Sequence, residues 1–145
     1  MNLDRSWIAA HIPHQGSMCL LDAVEAWSEA EIVCRASSHR LSNNPLRAAG
    51  SLGIATGIEY AAQAMAVHGA LLAGAEENPA AGFLTSVREV RWQRPRLDDV
   101  ASDLTVRAER ISGNEVNILY SFSVHGDGAM LLSGRASVLL AEGRP

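Results

Sequence analysis

The stretch GIATGIEYAAQAMAVHGALLAGA, Gly53–Ala75, is built almost wholly from Ala, Gly, Leu, Ile, Met and Val, and carries one formal charge, Glu59. Ile54, Ile58, Ala61, Met65 and Leu72 recur at spacings of three, four and seven, as one buried face of an α-helix requires. The residues between them are also mostly apolar, which a helix with one face in water would not show. A long helix covered on several sides is therefore expected here, with a lone carboxylate that calls for a reason.

On either side of this helix the pattern differs. Ahead of it, LDRSWIAAHIPH predicts a short helix stopped by Pro13. MCLLDAVEAW and EAEIVCRASS predict two extended segments, and HRLSNNPLRAAGS a loop rich in breakers. Behind it, AEENPAAG ends the helix, and a series of strands begins with GFLTSVREVRW. DLTVRAERI alternates, with Leu104, Val106 and Ala108 on one face and Thr105, Arg107 and Glu109 on the other. HGDGA is a Gly-rich hairpin signal between the last two strands. One long helix among five or six mostly antiparallel strands makes an α+β domain in which a curved sheet wraps a central helix.

Composition narrows the function classes. The chain has 145 residues, 48% of them hydrophobic, and a net charge of −4. That fits one domain, residues 1–145, and argues against disorder and against nucleic acid as a partner. No signal peptide and no membrane-spanning run is read, so a cytoplasmic location is expected. Cys19 and Cys34 read as buried free thiols. No metal is expected, since neither H-x-x-x-H nor C-x-x-C spacing occurs, and no cofactor, since phosphate-loop and dinucleotide fingerprints are missing. A helix apolar on nearly every side and a sheet with open edges predict a homodimer, with room for a higher oligomer.

Four segments, in order, resemble the hotdog-fold 3-hydroxyacyl-(acyl-carrier-protein) dehydratases, in particular the short branch tied to aryl-polyene and related polyketide-like clusters. IPHQGSMCLLDAV resembles their L-P-H opening, IEYAAQAMAVHG their helix motif E-A-x-A-Q, VREVRWQRPRLDDVASDLTVRAERI their strand pair, and LLSGRASVLLA their last strand. The resemblance implies a hotdog fold, active sites at a dimer interface, and acyl thioesters on an acyl carrier protein or coenzyme A as substrates. It implies a catalytic acid at Glu59 and a substrate-binding surface of Gln63, Gly53, Ala62 and Ala66.

Dehydration needs a base for the α-proton and an acid for the leaving hydroxyl. An apolar site disfavours a charged carboxylate and so suits it to hold a proton. The other reading of Glu59 is an interface ion pair with Arg88 or Arg91. The family places its catalytic His in a GHFP segment before the helix, but here that loop reads NNPLRAAGSLG and has none. His14 and His39 are the remaining candidates. His68 falls on the opposite side of the helix from Glu59 and is expected at an interface. Strict alternation would set Arg88, Val90 and Trp92 on one strand face, either solvated or turned to an acidic carrier protein. The missing histidine keeps two further functions open, a thioesterase of the same fold and a non-catalytic carrier-binding subunit.

Overall fold

The computed structural model describes residues 3–14, 16–74, 81–114 and 116–141. Its elements are α1 (Arg5–His11), β1 (Ala23–Trp27), β2 (Glu31–Ala36), α2 (Gly57–Ala73), β3 (Ala81–Trp92), β4 (Leu104–Gly113), β5 (Asn117–Gly126) and β6 (Ala129–Ala141). The six strands form one sheet in the order β1-β2-β4-β5-β6-β3, every pairing antiparallel. The sheet's buried face lies against α2, the hotdog arrangement expected of the sequence.

Local chemistry sets the boundaries. Asp4 caps α1, its carboxylate accepting from Trp7 N at 3.1 Å. Ile12 then turns extended, as a residue before proline prefers. A short 3-10 turn, Ile54–Thr56, leads into the 17 residues of α2, and Gly74 at φ 89° ends that helix. The terminating segment expected over 75–80 lies outside the described residues. Gly57 lets the helix start against the sheet, because a Cβ there would stand 2.6 Å from Leu132 Cδ2.

β4 alternates as predicted, with Leu104, Val106 and Ala108 buried. The Asp127–Gly128 hairpin has φ of 52° and 76°, the two positive values of a type I′ turn. β3 departs from expectation. Its register against β6 slips between Arg88 and Arg91, where Glu89 takes φ 55°. The bulge breaks the period of two, so Val87 and Val90 both pack on the core instead of falling on opposite faces.

β3 is a sheet edge, and Phe83, Leu84 and Trp92 along it are exposed. Of α2, Tyr60, Ala61, Ala64, Met65, Val67 and Ala70 are buried in this single chain, while Ile58, Ala62, Ala66 and Gly69 form a half-buried stripe. Cys19 and Cys34 are buried and free, and burial pushes the Cys34 thiol up to about 12. No helix among the described residues is long and apolar enough to cross a membrane.

Candidate active site

Glu59 sits in the first turn of α2, where a carboxylate is favoured by the helix dipole. Across from it, the chain leaving α1 passes through Pro13 and brings in His14. His14 Nε2 lies 3.1 Å from Glu59 Oε2, with the two side chains 25% and 34% exposed. Glu59 is therefore partly open in the single chain rather than enclosed, and within the described residues its ion-pair partner is the His14 imidazole. His14 Nδ1 is buried and has no hydrogen-bond partner among the described residues.

One turn along the helix, Gln63 is fully buried. Its amide oxygen accepts from Leu20 N at 2.9 Å. Its amide nitrogen donates to Met18 O at 2.7 Å and to Glu59 Oε2 at 3.3 Å. Grouped by its motif with the substrate-binding residues, Gln63 instead turns into the protein, where all its polar atoms are used. Ala62 and Ala66 lie on the half-buried stripe beside Glu59. Gly53 is exposed ahead of the helix, where its carbonyl accepts from Thr56 N at 3.0 Å and Thr56 Oγ1 at 2.6 Å.

The structure does not bring His39 to Glu59. His39 is fully buried, and its Nε2 donates to both Val100 O and Ser102 O at 3.0 Å. Two carbonyls can only accept, so the proton sits on Nε2. Burial lowers the His39 pKa, and the ring braces the backbone as a neutral group.

His68 is not an interface residue either. It is buried within the chain, with Nε2 donating to Ser28 O at 2.8 Å and Nδ1 2.7 Å from the Tyr120 hydroxyl. Since Ser28 O fixes the proton on Nε2, Nδ1 accepts from Tyr120. Burial lowers the His68 pKa and raises that of Tyr120 to about 12.

The loop that lacks the family histidine is held by side chains that composition alone did not single out. Tyr60 on α2 is bonded to Ser38 Oγ at 2.7 Å and to Asn44 Nδ2 at 3.1 Å, and Ser38 Oγ donates to Leu20 O at 2.9 Å. Asp98 accepts from Leu52 N at 2.8 Å and is paired with Arg96, whose guanidinium holds the carboxyl well below the usual carboxylate range. The signal for this bracing was the run of Asn and Ser in HRLSNNP, residues that bond to nearby backbone.

Two clefts of ≈ 330 and ≈ 280 Å³ mark the surface, the first lined by Arg91, Arg107 and Ser123 among others, the second by Arg5, Cys19 and Asn44 among others. Neither is lined by His14, Glu59, Ala62 or Ala66. Among the described residues no cluster of His, Cys, Asp and Glu is arranged to hold a metal ion. An imidazole and a carboxylate in contact, partly open to solvent, can pass a proton between them and to a bound group.

Among solved structures, the chain is similar to the dehydratase heterocomplex ApeI:P from Xenorhabdus doucetiae, with 24% identity over 94% of this chain and 91% of that one, at a TM-score of 0.82. It is also similar in fold to zebrafish thioesterase superfamily member 2, with 12% identity over 94% and 95% of the two chains and a TM-score of 0.64. A hypothetical thioesterase with coenzyme A from Streptococcus pneumoniae shares 12% identity over 84% and 87%, at a TM-score of 0.57. No curated protein matches the sequence. The family model of the ApeP-like dehydratases matches residues 6–143, and the chain belongs to that family.

Proposed function

We propose that this chain dehydrates 3-hydroxyacyl thioesters carried on an acyl carrier protein or on coenzyme A, with Glu59 and His14 as the acid–base pair. The observation that carries the reading is the 3.1 Å contact between His14 Nε2 and Glu59 Oε2. Elimination takes a proton from C2 and the hydroxyl from C3, releases them as water and leaves a C2=C3 double bond. The imidazole takes the α-proton and the carboxyl group protonates the departing hydroxyl. Family membership supports the reaction class.

The working unit in this reading is a pair of hotdog chains. β3 is bonded to a neighbour on one side only, and its free edge carries Phe83 and Leu84. The half-buried stripe of α2 runs beside the reactive pair, so a second chain would enclose both and complete an apolar channel over Ala62 and Ala66. The similar Xenorhabdus structure is a dehydratase heterocomplex, which supports a two-chain unit made with a second copy or with a related chain. Arg88 and Arg91 are exposed on β3 and offer positive charge to an acidic carrier protein.

The test uses the chain alone and with a related hotdog chain. A 3-hydroxyacyl carrier-protein substrate is followed by mass spectrometry for loss of water, and a plain acyl thioester for release of free thiol. Water loss that falls about 10²–10⁴-fold in Glu59→Gln supports the proposal. Thiol release dependent on Glu59 would instead identify a thioesterase, and no response in either assay a carrier-binding subunit.

A further inference from the structure

On the face of the sheet turned away from α2, the strand pairing lines side chains up in level rows. One row runs Glu31, Glu109, Ser121, Arg135, Arg88 across β2, β4, β5, β6 and β3. It is acidic on one side of β5 and basic on the other. Within it like charges stand directly opposite each other, Glu31 beside Glu109 and Arg135 beside Arg88, which costs stability in a chain by itself. Arg107 reaches Glu31 at 2.6 Å and Arg135 lies 3.9 Å from Glu89, but Glu109 and Arg88 have no ion-pair partner among the described residues. The middle of the face is low. Along β5, Leu119, Ser121 and Ser123 alternate with the buried Tyr120, Phe122 and Val124, and the two serines line the cleft of ≈ 330 Å³ together with Arg107, Glu109 and Arg135.

We propose that two copies of this chain associate through these outer faces, about a two-fold axis parallel to β5. That rotation keeps each row level and exchanges its two ends. Glu109 of one copy then meets Arg135 of the other, and Glu31 meets Arg88, each contact made twice. On the axis Ser121 meets Ser121 and Leu119 meets Leu119, small or apolar side chains that let the faces approach. Sheets packed face to face stand about 10 Å apart with their strands nearly aligned, a gap that Glu and Arg side chains bridge from both sides. A uniformly acidic partner would meet Glu31 and Glu109 as well as the arginines, so the charges of the row fit its own copy better than a carrier protein. Arg88 is taken up in this contact, while Arg91, level with Val33 in the neighbouring row, meets no carboxylate. The contact leaves the free edge of β3 and the stripe of α2 uncovered, so two edge-joined pairs can also stand back to back.

The test needs no reaction, only the mass of the protein in solution at low salt, measured by analytical ultracentrifugation. Glu109→Arg and Arg135→Glu each bring like charges together across the axis. Each should raise the dissociation constant of the face contact by about 100-fold or more and halve the mass. Mixed one to one, the two variants should associate again, because the reversed charge of one then faces the reversed charge of the other.

Circular dichroism and thermal melting confirm folding. Where a reversal fails to fold, Glu109→Gln and Arg135→Gln serve instead, and each should weaken the association and reduce its dependence on salt. Equal masses for the wild type and both reversals would overturn the proposal, as would a mixture of the two reversals that stays apart. Variants that keep the wild-type mass but lose binding to an acidic carrier protein would also overturn it and give the face to that partner.

Discussion

His14 Nε2 and Glu59 Oε2 stand 3.1 Å apart, brought together from two elements that the backbone of residues 18–20 ties to one another through Gln63. Groups in direct contact that serve one reaction act as a unit. His14→Gln and Glu59→Gln should each lower turnover of a 3-hydroxyacyl thioester by about 10²–10⁴-fold, and the double variant should be little slower than the worse single one. Steady-state rates of the four proteins check this, and multiplicative losses would separate the two residues.

Acid should weaken the fold through His39 and His68. Burial lowers the pKa of both below the ordinary 6.5. As pH falls through that value, the unfolded chain takes up protons that the folded chain refuses, so stability present above it is lost below it. Melting temperatures read from pH 7.5 to 5.5 should fall, and the slope should flatten in His68→Gln. A slope unchanged in that variant would place the acid sensitivity elsewhere.

Asp98 governs a lower window. Arg96 holds its pKa below the ordinary 3.8, so the stability it lends is full above that value and is lost as pH falls through the folded pKa. Asp98→Asn keeps an oxygen for Leu52 N–H but loses the charge facing Arg96 and Arg47. The expected result is a melting temperature lower by a few degrees at neutral pH, within roughly the range that about 1 kcal/mol produces, with the difference from the native protein narrowing as pH falls below 3.8.

Gly134 faces Phe122 across the β5–β6 ladder. A Cβ at 134 would stand 2.8 Å from Phe122 Cζ and 3.3 Å from Arg88 O. A buried ring and a backbone carbonyl have little room to yield, so Gly134→Ala should cost about 1–3 kcal/mol. Chemical denaturation measures it; a neutral change would mean that the ring repacks freely.

Legibility varied with how local the cause was. The faces of β4 followed from alternation alone, and the hairpin from Asp127–Gly128, because both are decided by neighbouring residues. The bulge in β3 was hidden, since Val87, Glu89 and Val90 read equally well as a regular strand and only pairing with β6 fixes the slip. Glu59 stood out as the one charge in an apolar helix. The choice between His14 and His39 was not readable, because it depends on whether the carbonyls of Val100 and Ser102, far along the chain, occupy the imidazole. Gln63 was recognised by its motif, but its bonds were hidden for the same reason. The motif fixes its place on the helix, and the partners Met18 and Leu20 come from tertiary folding.

The bonds that join Tyr60, Ser38 and Asn44 bear on timing. A loop that swings aside to admit a reactant must do so often within each catalytic cycle. Lifting residues 38–44 from α2 would strand the Tyr60 hydroxyl and the Asn44 amide, both buried in the closed chain. At about 1–3 kcal/mol for each stranded group, the lifted state holds no more than a few per cent of the molecules. This loop is a fixed wall and not a gate, so in the proposed reaction the reactant would enter and the product leave on the other flank of the helix, where Ala62 and Ala66 lie.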